Sequence, residues 1–391
     1  MGNLLEVFWR FLCLGCVSFG GPAAHIGYFH TSFVQKYKWI DEHSYARLVA
    51  LSQFLPGPGS SQIGFALGVR QAGLLGGCAA FIGFTLPSFI LLYLVATLQT
   101  DLSSYLLNSV IDGLKLLAVV VVADACYKMY STFCTNKLLI GLAITASAIT
   151  LAIPSLWSQI AVLIFGATVT ILYKPKDLPR KIFKTKSNKR PNQIAFIVFA
   201  ILFFVPALLS SNSIFIKIFA DFYQAGSLVF GGGHVVLPLL DQTIGNNLTS
   251  TQFLTGYASA QAVPGPMFSL AAYLGAILSP TSSLHGALIA TIAIFLPGFL
   301  LILWLQDAWE SLVNKPNVAA CAAGINATVV GLLVAALYQP VFTNAINSLI
   351  DVGLVIVGLF LLNVIRLPIL TLVFGYIAIG ILKTLVFSGS I

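Results

Sequence analysis

The sequence predicts an all-α polytopic membrane protein. It is expected to consist of two homologous helical halves, placed as inverted repeats, each with a helix broken at Pro-Gly-Pro. Three observations carry this. The chain of 391 residues is 58% hydrophobic and only 8% charged, with a mean hydropathy of +0.95; a soluble domain carries about 25% charged residues. Apolar runs long enough to span a bilayer recur along its whole length. The chain also repeats itself. Phe19-Gly20-Gly21-Pro22 is answered by Phe230-Gly231-Gly232-Gly233, and Gln53-Phe54-Leu55-Pro56-Gly57-Pro58 by Gln261-Ala262-Val263-Pro264-Gly265-Pro266. Leu86-Pro87-Ser88-Phe89 returns as Leu296-Pro297-Gly298-Phe299, and Gly113 as Gly324. The offsets, 211, 208, 210 and 211, are nearly constant. Duplication of this kind in a membrane protein typically builds a substrate site between the two halves.

Taken in order, residues 1–173 form the first repeat, with spans near 4–20, 74–98, 109–129, 137–153 and 157–173. The first span lacks a basic n-region and a small-residue cleavage site, so it reads as a membrane helix rather than a leader. Cys13 and Cys16 make a CxxC inside it, with no second pair, and read as small packing residues. Residues 174–191 form a basic linker. Lys174, Lys176, Arg180, Lys181, Lys184, Lys186, Lys189 and Arg190 face only Asp177 there, in a chain of net charge +8. The positive-inside rule places this linker in the cytoplasm, beside anionic membrane lipids; nothing else in the chain suggests nucleic acid. Residues 192–212 hold an extra helix with no counterpart in the first half. Residues 213–391 form the second repeat, with spans near 213–231, 285–305, 318–339, 344–362 and 367–387.

Between the first two spans of each half lies an interrupted apolar segment, 44–72 and 252–279. If each crosses the membrane as a broken helix, each half has six crossings, and the extra helix turns the second half upside down. If each dips in and returns, the count is five and the halves lie parallel. The length of these segments fits two half-helices across about 30 Å. Crossing also puts Arg70, Lys128, Lys137 and Arg366 inside with the linker, although it puts Lys36, Lys38 and Arg47 outside. Crossing, and hence inversion, is the expectation.

Proline stops a helix and glycine frees the backbone. Pro-Gly-Pro at mid-membrane therefore exposes polar backbone, which survives only when buried or lining a wet cavity. The helix that resumes points its amide dipoles at the gap, a setting for an anion. The candidate binding residues are Gln53, Pro56, Gly57, Pro58, Gly59, Ser60 and Ser61 in the first half, and Gln261, Pro264, Gly265, Pro266 and Ser269 in the second, with Met267 and Phe268 adding amides. The Phe-Gly-Gly turns add Gly20, Gly21, Gly231 and Gly232, as a second oxyanion nest or a plain helix end. His25 and His234 follow them as proton carriers or interfacial residues. Charges within spans are few and so informative. Glu6 and Arg10 lie one turn apart, and their counterparts Lys217 and Asp221 have the signs reversed. Either Glu6 meets Lys217 and Arg10 meets Asp221 across the halves, or each pair neutralises within its own helix. Lys115 is a candidate anion contact and Asp124 a proton relay; alternatively, Lys115 simply pairs with Asp112.

At these residues the chain resembles the chromate ion transporter (CHR) superfamily in its long, two-domain form. The resemblance rests on Phe19-Gly20-Gly21-Pro22 with His25, on Leu55-Pro56-Gly57-Pro58 with Gln53 and Gly59, and on the weaker second copies. It implies antiparallel halves and export of chromate, a sulfate-like oxyanion, driven by the proton-motive force. Gly233 in place of proline and Met267 in place of Gly59 imply an asymmetric site weighted to the first half. The expected partners are the oxyanion, protons and lipids of the cytoplasmic membrane, with a homodimer as one assembly; no cofactor or metal is expected. No G-x-x-x-x-G-K-[ST] loop supports ATP hydrolysis, and the five histidines do not cluster as an enzyme's would. A sulfate transporter or exchanger and an uncoupled anion channel compete with this reading.

Overall fold

The computed structural model describes residues 3–19, 21–101, 105–173, 191–209, 213–230, 236–309 and 315–388. The linker basic residues, Gly20, Gly231, Gly232 and His234 lie outside the described residues. The fold is helical throughout: α1 (Leu4–Val17), α2 (Gly21–Phe29, continued by a π-helical stretch His30–Lys36), α3 (Glu42–Phe54), α4 (Gly59–Asp101), α5 (Tyr105–Phe133), α6 (Lys137–Ala152) and α7 (Leu156–Tyr173) make the first half. The extra helix is α8 (Gln193–Leu209). The second half comprises α9 (Ile214–Leu228), α10 (Val236–Ile244), α11 (Ser250–Ala262), α12 (Leu270–Leu278), α13 (Ser283–Leu305), α14 (Pro316–Ala336), α15 (Leu349–Asn363) and α16 (Ile369–Ser388).

The broken segments do not cross. Gly256 on α11 abuts Tyr273 beyond the break; in a straight helix 17 residues would separate them by about 25 Å. The chain has therefore doubled back. In the first half, Gly59 returns against Ser52, and Arg70 comes within electrostatic reach of Asp41, the N-cap at the opposite end of α3, and of Arg47. The expectation of crossing is thus corrected: each Pro-Gly-Pro caps a re-entrant hairpin.

The first span is also a hairpin. Phe11 stacks on Phe33, with ring centroids 4.8 Å apart, and meets Phe29 edge-on at 5.6 Å. The α2 segment thus returns alongside α1. α4 in turn reverses at Ala72 and Gly73 (φ +66°), so that Gly68 packs on Ala80. Its second part, from residue 74, is the first helix to run from one face of the fold to the other, followed by α5, α6 and α7. Four crossings per half is an even number, so α8 still inverts the second half. The expected inversion holds, although both of the counts considered from sequence included α1 as a crossing.

Packing shows the inversion directly. Phe81 meets Phe295 at 5.1 Å, and Tyr93 hydrogen-bonds Ser283 at 3.1 Å, so α4 and its counterpart α13 run antiparallel. The relation is reciprocal: the Gly57 amide donates to the Val229 carbonyl at 2.7 Å, and the Gly265 amide to the Ser18 carbonyl at 2.8 Å. Gly57 and Gly265 are repeat partners, as are Ser18 and Val229, which is the signature of a twofold-related interface. The halves are also interlocked. Gly166 on α7 lies against Gly324 on α14, Gly331 on α14 against Ala146 on α6, and Gly113 on α5 against Gly380 on α16. Each half's last two helices grip the other half's second crossing helix, with glycine permitting close backbone approach.

Re-entry also sorts the charges. Call the face where α7 ends and α8 begins the linker face; there the Asn192 amide donates to the Trp304 carbonyl at 3.0 Å, at the end of α13. Lys36, Lys38 and Arg47, which the crossing reading placed opposite, share this face with Arg70, Lys128, Lys137 and Arg366. The opposite surface is the far face.

Candidate functional site at the reciprocal junctions

Each junction is held open by its glycine. Gly57 has φ +119° and Gly265 φ +106°, conformations side chains rarely adopt. A Cβ on Gly57 would lie 2.8 Å from the Gly298 Cα, and one on Gly265 2.8 Å from the Ser88 Oγ. The two turns therefore touch the opposite half with almost no clearance. After Pro58, α4 begins at Gly59, and its opening amides lack intrahelical acceptors. After Pro266 the chain forms a tighter 3-10 turn, Met267–Ser269, before α12.

His25 is fully buried where the α1–α2 turn meets the α4 terminus. Its Nε2 lies 3.2 Å from the Ser18 carbonyl and its Nδ1 3.2 Å from the Ser60 Oγ. A carbonyl only accepts, so Nε2 carries the proton, and in the neutral ring Nδ1 accepts from Ser60. His25 thus ties the turn to the helix terminus. Gln62 clasps the halves: its Nε2 donates to the Pro56 carbonyl at 2.9 Å and the Gly298 carbonyl at 3.1 Å. Ser88 donates to the Thr85 carbonyl at 2.9 Å and lies 2.7 Å from the Ser269 Oγ, so Ser269 is the donor between them.

The hydroxyls of Ser18, Ser61 and Thr85 are buried with no hydrogen-bond partner. Such groups cost free energy unless something completes them. All three belong to the elements that meet around the junctions, and each has a proton to donate. Helix-terminal amides and these hydroxyls are neutral hydrogen-bond donors, and the Gln62 Oε1 beside them is a buried acceptor without a partner.

Several expected residues sit elsewhere. Gln53 is exposed, and the Gln261 Nε2 donates to the Met267 Sδ at 3.3 Å, so the glutamine pair does not converge. Gln62, Ser88, Ser18 and Thr85 take the places near the junction instead. Ser88 was visible in the repeated Leu-Pro-Ser-Phe motif; Gln62 has an apolar repeat partner and gave no paired signal. Lys115 bonds Asp112 at 3.2 Å, and the Asp124 Oδ2 bonds Lys128 at 2.7 Å. The crossed charge pairs are not formed among the described residues. Arg10 instead meets Glu6 at 3.6 Å within its helix and donates to the Tyr37 hydroxyl at 2.7 Å.

Residues 5–172 and 216–381 each match the sequence profile of the chromate transporter family. This chain belongs to the chromate transporter family. Among its relatives, the chromate transport protein of Pseudomonas aeruginosa is 26% identical over 332 residues, 84% of this chain and 79% of that protein. A probable chromate transport protein of Synechococcus elongatus is 28% identical over 367 residues, covering 92% of this chain and 89% of the relative. The chromate transport protein of Cupriavidus metallidurans is 27% identical over 365 residues, 91% of this chain and 86% of the relative. No solved structure shows significant similarity. The double match makes the halves of this transporter homologous, and the junctions are where those halves meet.

Proposed function

We propose that the protein exports chromate, or a sulfate-like oxyanion of the same shape, across the cytoplasmic membrane by alternating access, in exchange for protons. The reading is carried by the pair of reciprocal Pro-Gly-Pro junctions, where inverted halves meet and which adjoin the helix bearing the opening amides and the elements bearing the unpartnered Ser18, Ser61 and Thr85 hydroxyls. Binding falls to Gly57, Gly59, Ser60 and Ser61 in the first half, and to Gly265 and Ser269 in the second. With the linker face in the cytoplasm, the cations of that face also draw the dianion toward the site.

The test is uptake of labelled chromate into everted membrane vesicles, with and without a proton gradient and with sulfate as competitor. Gradient-dependent accumulation inhibited by sulfate is the expected result. Flux of sulfate without chromate overturns the substrate, and flux that only equilibrates regardless of the gradient makes the protein a channel.

A further inference from the structure

On the far face a cavity of about 480 Å³ opens between the halves. Its wall is drawn from both: Thr150 on α6 and Gln159 on α7 face α10, α11 and the chain after α14, which supply Asp241, Gln242, Gln339 and Asn344. The oxyanion site does not account for it. No Lys, Arg or His is in the wall among the described residues, and the single charge is the carboxylate of Asp241. A dianion approaching this carboxylate is repelled. Its other polar side chains are uncharged amides and hydroxyls, each able to donate and to accept. The Gln159 amide nitrogen is already engaged, 3.4 Å from the Pro238 carbonyl, and its Oε1, like the Thr150 Oγ1, is buried without a partner.

From this geometry we infer that the far-face cavity is the proton path and that Asp241 is the carboxylate loaded from it. This rests on the proton-coupled reading above. Asp241 takes up one proton and becomes neutral; it returns to the carboxylate when the proton leaves toward the linker face. The elements packed against α10 present no competing charge. α7 gives Gln159, the segment after α14 gives Gln339, and Lys217 and Asp221 of α9 are not in the wall; His234 lies outside the described residues. The repeat adds independent support. At the offset of the Phe-Gly-Gly turns, 211, the counterpart of Asp241 is His30, which lies 2.9 Å from Glu42. Each half thus places a titratable group at the same point of its re-entrant hairpin, one toward each face.

The experiment uses the full chain in proteoliposomes and two measurements on each variant: chromate–chromate exchange without a gradient, and chromate accumulation under a pH gradient. One coupled proton drives up to about tenfold accumulation of chromate per pH unit. Asp241→Asn is expected to keep exchange within about twofold of the parent and to lose accumulation, while Asp241→Glu keeps both. Accumulation by Asp241→Asn equal to the parent overturns the inference. So does loss of exchange in both variants, which makes the cavity part of the anion path or of the scaffold. If Asp241→Asn alone loses exchange, accumulation by Asp241→Glu decides: retained, it supports the carboxylate; lost, it overturns it. Accumulation that follows a sodium rather than a proton gradient in the parent overturns the proton. A parent that exchanges chromate but never concentrates it under any gradient rejects the coupled-export reading instead, a distinct result.

Discussion

The two junctions share a backbone and differ in chemistry. In the first, Pro-Gly-Pro is followed by Gly59, Ser60, Ser61 and Gln62, and is roofed by Gly298. In the second it is followed by Met267, Phe268, Ser269 and Leu270, and is roofed by Ser88. The first junction carries the buried histidine, an unspent serine hydroxyl and a side-chain amide; the second fills the same turn with thioether, phenyl and isobutyl groups. Duplication fixed the geometry, because each turn must fit the other half. It left the chemistry free to diverge, and the first half kept the polar groups.

The largest expected effect tests the shared geometry. Gly57→Ala and Gly265→Ala each force a Cβ into a backbone region that costs about 1–3 kcal/mol, with overpacking adding about 1–3 kcal/mol. Both should lower thermal stability in detergent and bring transport close to background. Their neighbours differ: Gly57 meets backbone at Gly298, whereas Gly265 meets the Ser88 hydroxyl. Ser88→Gly should therefore recover part of Gly265→Ala and none of Gly57→Ala. Equal recovery of both, read from melting temperatures, would show that the tight contact is not what each glycine serves.

The junctions were legible in the sequence because tight turns leave glycine and proline signatures that duplication repeats. The re-entry was not. Twenty-odd apolar residues around a break fit a crossing or a hairpin equally well, and only tertiary contacts such as Gly256 on Tyr273 distinguish them. The first span misled for a related reason: residues 4–20 are long enough to cross, and only the stacking of Phe11 on Phe33 shows that they turn back. Inversion survived because the count expected from sequence and the count in the fold are both even. Gln53 and Gln261 were singled out because they repeat, yet polar chemistry lies partly in residues that do not. Gln62 faces no glutamine at Leu270, and Ser88 faces only Gly298.

A smaller effect separates the two serines. The Ser61 hydroxyl is buried without a partner, so Ser61→Ala should raise stability by about 1 kcal/mol while lowering chromate transport about tenfold. Ser269 spends its hydroxyl on Ser88 at 2.7 Å. Ser269→Ala should therefore cost about 1 kcal/mol and reduce transport less. Paired melting and flux measurements read both quantities. The reverse order, with Ser269 dominant in flux, would move the binding side to the second half.

The smallest effect concerns the reversed charges, Glu6 and Arg10 against Lys217 and Asp221. Arg10 meets Glu6 within its own helix, with side-chain exposures of 38% and 47%, and its guanidinium lies 4.1 Å from the Tyr37 ring centroid. An exposed pair of this kind is worth about 0–1 kcal/mol, and the ring contact about 0.5–1 kcal/mol more. Arg10→Ala should thus destabilise by no more than about 2 kcal/mol and leave transport within about threefold. Arg10→Asp should behave slightly worse through repulsion from Glu6, and adding Asp221→Arg should restore nothing, because the two side chains do not meet. Recovery of flux in that double variant would mean that α1 and α9 approach during the transport cycle. The charge reversal between the halves would then belong to a second conformation rather than to the independent drift of two separate helices.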